Sequence, residues 1–193
     1  MSLATRQAPF HAFTIRHSGR ASRIITDVGV SAAFDPSAPP EHPAILETKA
    51  LWDTGATRSV ITKKTAGDLG LVSTGMTRVN HAGGTSNHQT YVVNFFLPNN
   101  VGAPGVSVSE CEDIAGDFGA IVGMDIIGGG DMAITNHAGK TTMTFRVPPF
   151  EEIDFVSQAN RILFAGIGRN DPCPCGKKGD DGRTIKFKKC HGG

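Results

Sequence analysis

The sequence predicts a mainly β protein with one main domain. Its 193 residues can bury one hydrophobic core, and any satellite module would need its own reinforcement. The apolar runs are short and rich in Val, Ile, Thr and Phe, while 24 glycines supply turns. Hydrophobic residues make up 39% and charged residues 19% of the chain, which excludes a wholly disordered or collagen-like protein.

The apolar runs and turn signals place the expected elements in order. Strands are predicted at residues 13–16, 23–34, 45–52, 59–62, 76–82, 87–97, 106–109, 120–122, 132–135 and 141–147. A short helix over 63–69 should end at Gly70, a residue that favours the left-handed C-cap. A second helix is predicted over 151–164, with Glu151 and Glu152 at its positive N-terminal end.

The charge and hydropathy patterns limit the class of partner. A formal net charge of +1 gives no reason to expect nucleic acid or an anionic membrane. The charge is uneven, because eight Lys or Arg accompany only three Asp from Arg161 onward. No stretch approaches the roughly 18 apolar residues that span a bilayer, and the N-terminus lacks a signal-peptide core. We therefore expect a cytoplasmic protein without a membrane partner.

The segment ALWDTGATRSVI places Asp53 at a tight turn between two strand-like runs. A carboxylate presented at such a turn is a candidate catalytic group. An Asp-Thr-Gly tripeptide also occurs by chance, so the surrounding segments must support the interpretation. The alternative interpretation of Asp53 is a solvated turn carboxylate.

Three segments together resemble the retropepsins, the single-domain aspartic peptidases of retroviruses and their cellular relatives. They are LWDTGATRSVI, the glycine hairpin at Gly83 and Gly84, and AIVGMDII. The resemblance covers roughly residues 10–147 and implies a closed β-barrel of the acid protease fold, with one lobe per chain. It also implies that the glycine hairpin is a mobile flap and that Ile121, Val122 and Gly123 lie beside the catalytic loop.

The resemblance assigns roles to the Asp-Thr-Gly-Ala loop. Peptide hydrolysis by this route needs two carboxyl groups, and the chain has one such motif, which implies a homodimer with Asp53 catalytic in each subunit. Thr54 would bridge the two loops, Gly55 would leave room for the water, and Ala56 completes the loop. The substrate would be a peptide or protein, with no cofactor for catalysis. Asp125 is left out of catalysis, since capping a short helix or holding a neighbouring Arg is favoured.

The C-terminal segment RNDPCPCGKKGDDGRTIKFKKCHGG resembles the SEC-C motif, the zinc-binding module at the C-terminus of the SecA preprotein translocase ATPase. Its candidate ligands are Cys173, Cys175, Cys190 and His191, a normal tetrahedral zinc set. Four protein ligands leave no open position, so the zinc would be structural. The alternative interpretation is a disordered basic tail with chance cysteines.

These predictions combine into one organisation. Residues 1–149 form the peptidase domain, 150–168 a linker helix and 169–193 the zinc-binding motif. The predicted function is a homodimeric aspartic endopeptidase whose zinc tail recruits a protein partner or substrate. The alternative is a non-catalytic dimeric adaptor that retains the peptidase-like fold, although an intact Asp-Thr-Gly-Ala favours the enzyme.

Overall fold

The computed structural model describes residues 10–34, 42–81, 84–112, 114 and 116–191. The chain divides into two compact units, Met1–Phe150 and Glu151–Gly193. The described strands are β1 (His11–Arg16), β2 (Ile24–Ala32), β3 (Leu46–Trp52), β4 (Val60–Thr62), β5 (Gly75–His81), β6 (Gly84–Leu97), β7 (Val101–Cys111), β8 (Ala120–Val122), β9 (Asp131–Thr135) and β10 (Thr142–Val147). The described α-helices are α1 (Lys63–Asp68), α2 (Met124–Ile127) and α3 (Phe155–Leu163).

The larger sheet closes on itself. Its strand order is β2-β3-β8-β4-β7-β6-β5, and β2 also pairs with β6. Six strands therefore form a closed barrel, while β5 extends from β6 as the second arm of a hairpin. Closure satisfies the backbone groups that an open sheet would leave free at its edges. The predicted mainly β closed barrel is confirmed.

Alternating side chains of the barrel strands fill its interior. Val28, Val30, Val93, Phe95 and Val108 are each at most 1% exposed. This core keeps the barrel rigid, because close-packed side chains cannot shift without opening voids. The barrel is therefore a firm support for loops that leave its strand ends.

A second sheet, of order β1-β10-β9, packs against the end of β3 through aromatic rings. The ring centroids of Phe13 and Phe145 lie 5.8 Å and 5.2 Å from that of Trp52, the last residue of β3. The Trp52 indole Nε1 also donates a 3.0 Å hydrogen bond to Thr26 Oγ1. The point at which the chain leaves β3 is thus fixed from both sides.

Helix α1 follows the predicted course. The Thr62 hydroxyl accepts a hydrogen bond from the Thr65 amide at its start, and Gly70 beyond its end has a φ of +58°. Both ends are satisfied locally, and Ala66 of the helix lies in the hydrophobic core of the barrel unit. Among the helices of the described residues, none has the length and apolar character needed to cross a bilayer.

Helix α3 begins later than the sequence predicts. Glu151 and Glu152 precede it, so their expected place at its N-terminal end is wrong. The cap is Asp154, whose Oδ1 accepts hydrogen bonds from the amides of Val156 (2.8 Å) and Ser157 (3.1 Å). The hydrogen bonds from Ser157 hold the pKa of Asp154 below its ordinary value. This stabilisation of the helix start is therefore lost as the pH falls through that lowered pKa.

Candidate active site and metal centre

Asp53 lies directly after β3, half-buried at the edge of the barrel. The parallel register aligns Trp52 with Val122 of β8, and the Asp53 amide donates a 3.0 Å hydrogen bond to the Val122 carbonyl. The turn then folds back on the carboxylate, since the Gly55 amide donates to Asp53 Oδ1 at 2.8 Å. The Ala56 amide donates to the Asp53 carbonyl at 3.2 Å. One carboxylate oxygen is thus oriented by a backbone donor.

The other predicted loop residues surround this carboxylate. Thr54 and Gly55 are exposed, and Ala56 is partly buried. The Thr54 hydroxyl has no hydrogen-bond partner among the described residues, so it remains available to a group outside this chain. A Cβ at Gly55 would lie 3.1 Å from Asp53 Oδ1, a contact that would press on the carboxylate. The glycine therefore keeps the space beside the acid open.

The segment that connects β8 to α2 lies against the Asp53 loop, as the resemblance predicts. A Cβ on Gly123 would come within 2.5 Å of the Arg58 backbone carbon and 2.9 Å of the Ala56 carbonyl oxygen. The Met124 amide also donates a 2.8 Å hydrogen bond to that carbonyl. The loop and the connection are therefore packed backbone to backbone, a spacing that only glycine permits at position 123.

We expect Gly123→Ala to destabilise the first unit. The added methyl group would meet main-chain atoms, which cannot rotate away, so the loop must shift at a cost of about 1–3 kcal/mol in the free energy of unfolding. Gly102→Ala in β7 is the matched control, because a Cβ there meets nothing within 4 Å. It should change the free energy by less than about 0.5 kcal/mol. Urea denaturation of both variants measures the difference, and equal midpoints would contradict the close packing.

A buried serine, which no local sequence pattern marks as functional, joins the loop to α2. Ser59 is 0% exposed, and its amide donates to both Asp125 carboxylate oxygens at 2.9 Å. Its hydroxyl donates to Asp125 Oδ1 at 2.7 Å and accepts a 3.0 Å hydrogen bond from the Gly123 amide. Asp125 forms no ion pair with an arginine among the described residues, so that expected role is wrong. The N-cap position of α2 is Gly123, and Asp125, in the first turn, accepts a 3.0 Å hydrogen bond from the Ile126 amide through its Oδ1. Its carboxylate holds Ser59.

The predicted flap is only partly within the described residues. Strands β5 and β6 are antiparallel and pair up to His81 and Gly84, which confirms a hairpin. Gly84 is the first residue of β6, whereas Gly83 falls outside the described part of the chain. A flap function at these glycines stays a prediction.

A cavity of about 420 Å³ adjoins the carboxylate, and Asp53 is one of its lining residues. Its apolar wall includes Leu51, Trp52 and Ile134, and its polar rim includes Arg23. A concave, partly apolar site beside an oriented carboxylate has the composition of a binding site.

Residues 46–126 match the family described as aspartyl protease. The matched region runs from the start of β3 to α2, contains the Asp53 loop and covers less than half of the chain. No curated protein sequence shows a significant match to the chain.

Two solved structures are similar to the chain at low identity. A retropepsin-like aspartic protease from Rickettsia conorii aligns with a TM-score of 0.46 and 13% identity, over 73% of this chain and 97% of that one. The retroviral protease-like domain of Ddi1 from Leishmania major aligns with a TM-score of 0.32 and 22% identity, over 57% of this chain and 78% of that one.

The second unit brings the four predicted metal ligands together. The ligand atoms of Cys173, Cys175, Cys190 and His191 all lie within 4.8 Å of one another. The Cys173 Sγ is 3.2 Å from His191 Nδ1, and the Cys175 Sγ is 3.4 Å from Cys173 Sγ and 3.5 Å from Cys190 Sγ. Ligand atoms in a tetrahedral zinc site with bonds of about 2.0–2.3 Å lie about 3.5–3.8 Å apart. The group can therefore hold a metal ion.

The chemistry of the three sulfurs and the imidazole also supports a metal site. The hydrogen bond between Cys190 and Cys175, together with burial, raises the pKa of Cys190 to about 11. Three adjacent sulfurs cannot all ionise without a cation to offset their charge. Thiolate and imidazole ligands in a tetrahedral set are those that zinc prefers.

Two turns of the second unit present these ligands. Gly176, with a φ of +72°, reverses the chain after Cys175, and the turn at Phe187–Lys189 leads into Cys190 and His191. On the other side, the ring of Phe164 lies 5.2 Å from the Phe187 ring and 4.9 Å from the His191 ring. The end of α3 thus packs on the ligand group within the same unit.

Proposed function

We propose that this chain is one subunit of a homodimeric aspartic endopeptidase, with Asp53 as the catalytic carboxylate of each subunit. The observation that carries the proposal is the Asp53 carboxylate at the end of β3, oriented by the Gly55 amide at 2.8 Å. It lies within the region that matches the aspartyl protease family. The second carboxyl group that the reaction needs comes from a second copy of the chain across a two-fold axis.

The two carboxyl groups divide the proton transfers. One, ionised, takes a proton from the water that attacks the peptide carbonyl carbon, while the other donates its proton to the carbonyl oxygen. The tetrahedral intermediate, a geminal diol, then collapses and its C–N bond breaks. The carboxyl that took the proton from water gives it to the nitrogen, which leaves as an amine, and the other carboxyl recovers its proton from a hydroxyl of the diol as the carboxylic acid product forms. Two close carboxylates cannot both ionise easily, so the pair holds one proton between them at mildly acidic pH.

The neighbouring residues support this chemistry. The Thr54 hydroxyl, without a partner among the described residues, would hydrogen bond to the opposite loop and align the two acids. Gly55 keeps the water position open beside Asp53, and Ala56 closes the turn. The hairpin of β5 and β6 would close over the substrate as a flap.

The second unit holds a structural zinc in this proposal. Cys173, Cys175, Cys190 and His191 use all four tetrahedral positions, so none remains for a substrate. Residues 1–149 then form the peptidase domain, 150–168 a linker helix and 169–193 the zinc-binding motif. The excess of positive charge from Arg161 onward supports recruitment of an acidic protein partner or substrate. Thiolate ligands favour a reducing compartment, the cytoplasm.

Cleavage of a denatured protein tests the proposal. At mildly acidic pH the purified chain should produce fragments, pepstatin should prevent their formation, and sedimentation should show a dimer at micromolar concentration. A dimer that yields no fragments over the whole pH range would favour the adaptor. A chain that stays monomeric at high micromolar concentration with an active-site inhibitor would remove the two-carboxylate mechanism.

A further inference from the structure

Buried Ser59 and exposed Asp125 form a hydrogen-bonded pair directly behind the catalytic loop. We propose that these two residues are positioning residues that hold Asp53 in its reactive geometry. The inference rests on the proposed function for its kinetic consequence, and it adds two residues to the site that the Asp-Thr-Gly motif does not contain. Neither residue has to touch the substrate for this role.

Ser59 uses its hydroxyl both as a hydrogen-bond donor and as an acceptor. Its hydroxyl donates to Asp125 Oδ1 at 2.7 Å and accepts from the Gly123 amide at 3.0 Å, and its own amide donates to the same carboxylate at 2.9 Å. A side chain that is 0% exposed has no water to replace a lost partner. Removing the hydroxyl therefore leaves a buried Gly123 amide without an acceptor.

The Asp125 carboxylate is suited to its place because it only accepts. Both of its oxygens accept the single N–H of Ser59 in a bifurcated hydrogen bond, and its Oδ1 also accepts from the Ser59 hydroxyl and from the Ile126 amide at 3.0 Å. An asparagine would turn an NH₂ group toward one of these donors, so it can reproduce only part of the set. The carboxylate thus ties the end of the loop to the first turn of α2.

The loop is consequently held at three points along its length. The Asp53 amide binds the Val122 carbonyl at 3.0 Å, the Met124 amide binds the Ala56 carbonyl at 2.8 Å, and Ser59 binds Gly123. The first two are single backbone hydrogen bonds near the half-exposed end of the loop, whereas the third is buried. Without the Ser59 contact, the loop that contains Asp53 could shift relative to the segment between β8 and α2. Such a shift would move the Asp53 carboxylate.

The kinetic effect should fall on kcat rather than on KM. The pair supports the reacting carboxylate and lies behind it, so substrate binding along the rest of the cleft is kept. Misplacement of a reacting group by about 1 Å can lower a rate about 100-fold. We expect kcat of Ser59→Ala to fall about 10- to 100-fold with KM within about threefold of the wild type.

Four variants separate positioning from general stability. Ser59→Thr keeps the hydroxyl and should retain most of the wild-type kcat, while Asp125→Asn should lie between Ser59→Ala and the wild type. Tyr91→Phe is the control, because it removes the buried 2.8 Å hydrogen bond from Tyr91 to Glu110 within the barrel without touching the loop. Its kcat should equal that of the wild type. Equal kcat values for Ser59→Ala and Tyr91→Phe would overturn the proposal.

Amide hydrogen exchange gives a second readout that does not depend on activity. In Ser59→Ala the Asp53 and Met124 amides should exchange at least about tenfold faster, while the Val30 amide of the barrel is unchanged. If Ser59→Ala does not fold, Asp125→Asn takes its place, because Asp125→Asn weakens the same Ser59–Asp125 contact at the exposed residue. The exchange rates of that variant then test the positioning role. A wild type without peptidase activity would refute the proposed function, and the exchange rates would still decide the positioning role. Unchanged Asp53 and Met124 exchange would contradict it.

Discussion

Replacing Asp53 by Asn is expected to abolish peptide cleavage while leaving the barrel and the dimer intact. Asparagine has nearly the same size and can still accept the hydrogen bond from the Gly55 amide through its Oδ1. It cannot take a proton from water or share one with a second copy, so the rate should fall at least about 1,000-fold. Cleavage of a denatured protein, followed with time for both proteins, measures the loss.

The control for Asp53→Asn is Asp68→Asn at the end of α1, which removes a carboxylate from a surface pair with Lys64. Surface pairs of this kind contribute at most about 0.5 kcal/mol, so cleavage should not change. The wild-type rate should also fall as the pH becomes alkaline, when the shared proton is lost from the pair of acids. A comparable rate for Asp53→Asn and the wild type would show that Asp53 is not the catalytic group.

Removal of zinc is expected to unfold the second unit and leave the barrel folded. Apparent binding free energies of structural zinc are about 10–16 kcal/mol, much more than the contacts of Phe164 with Phe187 and His191 can replace. Metal analysis should find one zinc per chain. After chelation, the protease-resistant core should be the barrel unit, with its thermal unfolding unchanged.

Matched cysteine variants test the assignment of this site. Cys190→Ser should lose the metal, while Cys111→Ser, in β7 of the barrel, should keep one zinc per chain. A wild type without zinc would contradict the metal site. A Cys190→Ser protein whose barrel fails to fold would contradict the independence of the two units.

The barrel could be predicted because its signals are local. Short runs of β-branched and aromatic residues, with glycine between them, determine strand and turn over a few residues. The predicted start of α3 is wrong because Glu151 and Glu152 are residues of the type that favours a helix N-terminus. Asp154 binds the first free amides directly, which is a stronger determinant than charge near the helix end.

The same distinction applies to the sites. Asp53 and its turn occupy four consecutive residues, and the candidate cysteine ligands lie in two short motifs, so both groups can be predicted from neighbouring residues in the sequence. Ser59 and Asp125 are 66 residues apart and meet only when β8 lies beside β3. No spacing rule in one sequence joins a lone serine to a distant aspartate, so the contact between Ser59 and Asp125 has no sequence signature.

The aromatic contact at the end of β3 gives the molecule a built-in optical probe. Trp52 is the chain's single tryptophan, is 7% exposed and packs against the rings of Phe13 and Phe145. Trp52 directly precedes Asp53 and lies where β3 of the barrel meets the smaller sheet. Its fluorescence emission therefore reports the integrity of that junction directly, without an attached dye.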